Sequence, residues 1–220
     1  MINLKSIRFI TLIAFIKIAI LIVFLYLDLN DKITGNYARY LFTSLSLITF
    51  IAIVVYLFGI LKFLGESNSV LIAFKIFIGF ELVSFVLGMT LGLFLKSYYY
   101  YAIMEIARFC VLLYLAIQLT KMQDPILKPS FAFFGVASLV TCILMMVAPV
   151  YISAVIKSMI VKPPVDTIRH MYTFLGIADI LTLIAVIIIL NQMQERLNYA
   201  EGPAKKDPFF AGYEGNSEEK

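Results

Sequence analysis

The chain has no tryptophan, one histidine and two cysteines, and only 15% of its 220 residues are charged. The single histidine, His170, excludes the paired imidazoles that hold a metal pair or a haem, and its place beside Arg169 at the edge of an apolar stretch is an interfacial one. Cys110 and Cys142 both fall inside apolar runs, so they neither staple an exposed loop nor make a metal-finger spacing. Glycine-rich loops that cradle phosphate are missing. Ser84 and Ser138 have no neighbouring base to activate a nucleophile. An enzyme is therefore the least supported class, and the sequence assigns no catalytic residue, no metal ligand and no cofactor. Lys and Arg number 18 against 14 Asp and Glu, a formal charge of +4. These cations are scattered among apolar segments and form no basic patch, which excludes a nucleic-acid surface.

What the chain has in quantity is hydrocarbon: 62% of it is hydrophobic, more apolar surface than a soluble domain of this length can hide. Six apolar stretches appear, at Ile7 to Leu29, Tyr40 to Leu64, Ser69 to Leu95, Tyr99 to Gln118, Phe131 to Ile156 and Thr167 to Leu190. Each is long enough to cross ~30 Å of hydrocarbon at ~1.5 Å per residue. Backbone amides in lipid must be satisfied within their own segment, and these runs lack the alternation of a barrel strand, so they are helices. The expectation is an all-α, polytopic membrane bundle of six transmembrane helices over residues 1–192, followed by a polar, disordered tail over 193–220, with the lipid bilayer as its first partner. The first stretch contains Lys17 and ends in Asp28 without a small-residue cleavage site, so it reads as a retained helix and not as a signal peptide. The run Tyr98 to Tyr101 stands where an aromatic belt at the membrane interface is needed.

The informative residues are charges placed where lipid should be: Lys17 in the first helix, Glu81 in the third, Glu105 and Arg108 in the fourth, and Asp179 near the middle of the sixth. Left facing lipid, each costs a few kcal/mol or more, so they must face one another or a wet cavity. Counted along their helices at ~1.5 Å per residue, all lie near the bilayer midplane. Glu105 and Arg108 are three residues apart and can pair within one helix, which leaves Lys17 as the main partner of the other acids. Arg108 has a planar fork that serves two carboxylates and is expected at the centre, within reach of Glu105 and of Glu81 or Asp179. Three acids against two cations leaves one carboxyl group over. Two functions use such a cluster. One is an ion or substrate site in a small transporter or channel-like protein. The other is a static device by which a non-catalytic subunit fixes its helices and holds partner subunits.

Glu81, Ser84, Gly88 and Gly92 share a face of the third helix, and the small residues of that stripe invite a neighbouring helix to approach closely. Pro149 removes an amide hydrogen from the fifth helix and is expected to kink it, freeing the carbonyl of Met145. Short matches between the two halves, Arg8-Phe9 with Arg108-Phe109 and Ser46-Leu47-Ile48-Thr49 with Ser138-Leu139-Val140-Thr141, outline a 3+3 inverted repeat of the kind transporters use, although such matches also arise by chance in apolar sequence. In the tail, Phe209, Phe210 and Tyr213 are aromatic residues in an otherwise polar segment, available to dock on a partner protein.

Lysines and arginines set the orientation. Lys5, Arg8, Lys62, Lys121, Lys128, Arg196, Lys205, Lys206 and Lys220 share one side of the membrane, and Lys32, Arg39, Lys96, Lys157, Lys162 and Arg169 the other. The excess places both termini in the cytoplasm. A cysteine introduced at Ser217 should accordingly resist a membrane-impermeant thiol reagent in intact cells and react after permeabilisation. Labelling from outside would reverse the topology.

Overall fold

A computed structural model of the protein describes residues 2–30, 36–94, 98–159, 167 and 176–201, with the backbone alone at 36–40, 89–94, 98–102, 200 and 201. It contains six α-helices and, among the described residues, no strand: α1 (Leu4–Leu29), α2 (Asn36–Phe63), α3 (Asn68–Phe94), α4 (Tyr98–Leu119), α5 (Lys128–Ser158) and α6 (Asp179–Glu201), the last preceded by a 3-10 turn at Gly176–Ala178. Within the described residues α1, α2, α3, α5 and α6 are each long and apolar enough to cross a membrane. The protein is a multi-pass membrane protein. The shorter α4, which carries Glu105 and Arg108 in its first half, packs between α3 and α5.

Each helix packs on the next in the sequence, and α6 packs back on α1, so the six form a closed ring. Neighbours run antiparallel. The Ser6 and Tyr56 hydroxyls meet at 2.8 Å near the start of α1 and the end of α2, and Ser130 near the start of α5 donates to the Gln192 Oε1 of α6 at 2.7 Å. One face of the bundle therefore holds the start of α1 and the end of α6. We call it the terminal face and its opposite the far face.

Every helix turns one stripe inward, and that stripe changes character halfway. On α1 it runs Ile7, Ile10, Ala14, Lys17, and on α3 Val70, Ala73, Phe74, Phe77, Glu81, with spacings of three and four that keep one side of a helix facing the core. Outward positions such as Phe9, Leu12, Ile48 and Val86 are exposed and apolar, as a lipid-facing surface requires. In the terminal half the inward residues form a dry plug. Phe74 stacks on Phe134 and meets Phe131 edge-on, each at 6.2 Å between ring centroids, with Leu57, Leu115, Val186 and Leu190 fully buried around them. In the far half the inward residues are polar.

Two loops and α6 are tied together at the terminal face by two carboxylates. α2 ends in a Schellman turn: the Gly65 amide donates to the Lys62 carbonyl, the Glu66 amide donates to the Leu61 carbonyl, and Gly65 supplies the positive φ of 70° that the turn needs. This delivers the Glu66 carboxylate to the α4–α5 loop, where it accepts from the amides of Gln123 at 3.0 Å and Asp124 at 2.9 Å. Asp124 in turn accepts from the amides of Ile126 and Leu127 just ahead of α5 and pairs with Arg196 of α6.

Several expectations need correction. The described part of the sixth apolar stretch opens, after Thr167, with a 3-10 turn at Gly176–Ala178, and Asp179 is the first residue of α6 and not its middle. α6 then runs on to Glu201, with Met193 fully buried. α5 runs as one helix from Lys128 to Ser158 with Pro149 inside it, which is compatible with the expected kink. The stripe on α3 is not a close helix contact among the described residues: Gly88 is exposed, and a methyl group added there would meet nothing. The close approach is at Gly135 on α5, where an added Cβ would stand 3.0 Å from the Cα of Ala116 on α4. Spacing along one helix sets which residues share a face, but the ring decides which face finds a neighbour. Gly92 lies in α3 outside the residues whose surroundings are described, and His170, Phe209, Phe210 and Tyr213 lie outside the described residues altogether.

Burial pushes the Asp124 carboxyl up, but the Leu127 amide, the Arg196 guanidinium and the Ile126 amide outweigh it and hold it below its ordinary value. A carboxyl depressed in the folded state stabilises the fold above its unfolded value and loses that contribution as pH falls through the lower, folded one. Asp124→Asn should thus cost about 1 kcal/mol near pH 7, a small figure because surface pairs are screened by water. In thermal unfolding the gap between parent and variant should close below about pH 4. A gap that stays constant or widens in acid would contradict this account.

Candidate functional site

The far half of the ring surrounds a half-open cavity of about 490 Å³ to which all six helices contribute. Its polar lining includes Lys17 of α1, Thr43 and Ser46 of α2, Glu81 of α3, Glu105 and Arg108 of α4, Ser138 and Thr141 of α5, and Asp179 and Thr182 of α6. Each of these stands on the inward stripe of its helix, one or more turns beyond the apolar plug. The five charges singled out from the sequence all line this one space.

Arg108 lies about 15 Å along α4 from Tyr98, near mid-membrane. Its Nε donates to Glu81 Oε1 at 3.1 Å and its Nη2 to Glu81 Oε2 at 2.7 Å, a two-pronged pair that ties α4 to α3. The Glu81 side chain is only 6% exposed, whereas Arg108 keeps 36% of its surface open toward the cavity it lines. Glu105 stands 3.7 Å from Arg108 Nη1, beyond hydrogen-bonding distance, and its buried Oε2 has no hydrogen-bond partner. The main partner of Arg108 is therefore an acid on the next helix and not the acid in its own. The α3–α4 contact brings Glu81 straight in front of the guanidinium, while a side chain one turn back on the same helix must bend around to reach it.

Lys17 also departs from expectation, since no acid lies within ion-pair distance of it among the described contacts. Its Nζ donates to the Ser46 carbonyl at 3.1 Å and sits 4.4 Å from the centroid of the Phe50 ring. Thr49 competes for the same carbonyl, donating to it at 2.8 Å. Asp179 is the counterpart on the other side, a carboxylate with no hydrogen bond and no ion pair within 4 Å among the described residues. The backbone N–H groups of the first turn of α6 complement its charge by ~0.3 to 1 kcal/mol, far less than a buried partner supplies.

The position of Asp179 follows from how α6 is anchored. Gln192 is held to Ser130 near the start of α5, and Ala178 accepts from Thr141 Oγ1 at 2.9 Å, about 17 Å further along the same helix. α6 therefore begins in the middle of the bundle, at the cavity wall. Sequence reasoning placed Asp179 at this depth but as a point within a continuous helix. The one signal for the 3-10 turn is Gly176, and a lone glycine is weak evidence. Ser138 was dismissed as a nucleophile. It is 6% exposed, lines the cavity and has an Oγ without a hydrogen-bond partner.

No group of three or more His, Cys, Asp or Glu side chains among the described residues could hold a metal ion. Comparisons with family models, curated proteins and solved structures find no match to this chain. The function has to be read from the chemistry of the cavity.

Removing the guanidinium strands Glu81 in a nearly closed space. Arg108→Ala should lower stability by about 2 to 4 kcal/mol, somewhat less than for a fully dry pair because one side faces the cavity. Adding Glu81→Gln should recover part of that loss, whereas adding Glu105→Gln should recover less. Thermal unfolding in detergent of the single and the two double variants tests the order. Equal rescue by both second changes, or a harmless Arg108→Ala, would contradict the assignment of Glu81 as principal partner.

Proposed function

We propose that the protein moves or binds a small charged solute within the membrane, as a small transporter or channel-like protein, with the cavity as its site and its termini on the cytoplasmic side. The observation that carries this reading is the cavity itself: a space of about 490 Å³ in the far half of the bundle, lined by all six helices and by five charged side chains. A bundle that used charges only to fix its helices would close on them, since an empty polar space forfeits packing. Here one pair, Glu81 with Arg108, serves the fold, while Asp179 and Glu105 line the space and a buried oxygen of Glu105 has no hydrogen-bond partner.

Two features of the ring suit transport. The cavity occupies the far half of the bundle, and the plug around Phe74, Phe131 and Phe134 closes it off from the terminal face, as expected of one side of an alternating cycle. The contact order also suits a three-helix unit repeated in inverted form, with the α4–α3 pair of Arg108 and Glu81 matched by Lys17 on α1 and Asp179 on α6. That correspondence is better than the one between Arg8 and Arg108, because Arg8 is exposed near the terminal end of α1. The alternative, a subunit that holds partners through buried charges and its aromatic tail, has no comparable observation in its favour.

Purified protein in liposomes should raise permeability to at least one member of a panel of alkali, alkylammonium and carboxylate salts, followed by osmotic swelling. Thr43→Trp, which fills the cavity from α2, should abolish that increase without loss of folded protein. A parent no more permeable than protein-free vesicles to every salt, or a Thr43→Trp variant as active as the parent, would overturn the proposal.

A further inference from the structure

The chemistry left unsatisfied in the cavity describes what would complete it. Both cations are partly engaged: Arg108 gives two of its donors to Glu81, and Lys17 gives one to the Ser46 carbonyl and lies over the Phe50 ring. The acceptors are not. Asp179 has no partner within 4 Å among the described residues, and Glu105 Oε2 is buried without a hydrogen bond. A third, independent group is the Ser138 hydroxyl, more than nine-tenths buried, facing the same space, with no partner for its oxygen. The charges lining the cavity are Lys17 and Arg108 against Glu81, Glu105 and Asp179, one negative charge in excess. An anion would meet the excess negative charge and two carboxylates, Asp179 and Glu105, with oxygens that have no hydrogen bond. A donor carrying one positive charge meets acceptors that have nothing else to bind.

Size separates the remaining cations. Water occupies ~30 Å³ in the liquid, so a bare alkali ion would leave most of the 490 Å³ to be filled by other means. The wall beside the polar groups is aromatic, with Phe24 and Phe42 packed at 5.5 Å between ring centroids, and it suits an apolar body. Metal ions that need three or more protein ligands find no such group among the described residues. We infer that the cavity takes a small organic monocation, an ammonium whose donors are received by Asp179, Glu105 and Ser138 while its apolar part lies against the Phe24–Phe42 wall. This rests on the reading of the cavity as a solute site and names the class of solute.

Three probes that share one body and differ in charge test it on the full chain in nanodiscs: benzylammonium, benzyl alcohol and benzoate. Benzylammonium should bind saturably and raise the unfolding temperature, with benzyl alcohol weaker and benzoate without effect. Asp179→Asn should weaken benzylammonium by about tenfold or more, the size of a lost hydrogen bond to a charged group. Glu105→Gln and Ser138→Ala should weaken it less, and they carry the test if Asp179→Asn does not fold. Preference for benzoate, no saturable binding of any probe, or benzylammonium affinity unchanged in all folded variants would each overturn the inference. Vesicle flux separates it from the transport reading. Benzylammonium that binds with this pattern and does not cross supports the site and removes transport. Solutes that cross through a site preferring benzoate support transport and remove the ammonium.

Discussion

The pair between Arg108 on α4 and Glu81 on α3 is the interaction around which the far half of the bundle is arranged. An ionised group at mid-membrane has no water to turn to, so a guanidinium in α4 obliges a carboxylate in a neighbouring helix to face it. Once α3 and α4 are rotated to make that contact, the stripes below it are committed as well. Phe74 and Phe77 on α3 and Leu112 and Leu115 on α4 turn inward with their charged neighbours, because they lie four or seven residues away on the same faces. The plug is thus a consequence of the same helix rotation that orients the charges.

The two halves of the ring obey opposite rules. Near the termini, large side chains meet across the axis and leave no room, and the Glu66 and Asp124 carboxylates lash the loops so that this half holds together. Beyond the plug, the inward positions carry short or charged side chains such as Thr43, Ser46, Ser138 and Asp179, which cannot fill the space between six helices. Packing is sacrificed there, and polar groups are left without partners. A fold retains such a cost where a ligand or water removes it.

The start of α6 at Asp179 adds a second constraint. The first turn of a membrane helix and the turn ahead of it carry backbone donors and acceptors that would be intolerable against lipid and are acceptable beside protein or a wet cavity. Thr141 relieves one of them by donating to the Ala178 carbonyl. Asp179, the first residue of α6, lines the cavity at this point.

The amino-acid sequence by itself determined the class of the protein and the list of its important charges. Hydrocarbon transfer is set by composition along a segment, so runs of about 20 apolar residues are membrane helices whatever surrounds them, and Lys17, Glu81, Glu105, Arg108 and Asp179 stand out because their cost in lipid is local. Which of them meet was decided by tertiary structure. That Arg108 makes its hydrogen bonds with Glu81 and a longer ion pair with Glu105 depends on the rotation of α4 against α3, and the solvation of Lys17 by the Ser46 carbonyl and Phe50 depends on the approach of α2. The close contact at Gly135 and the open surface at Gly88 could not be told apart from spacing, because a small residue permits an approach that only a neighbouring helix can make. The 3-10 turn ahead of α6 was illegible for a related reason: its Ala178 carbonyl is satisfied by Thr141 on another helix, and nothing within residues 176–179 alone records that partner.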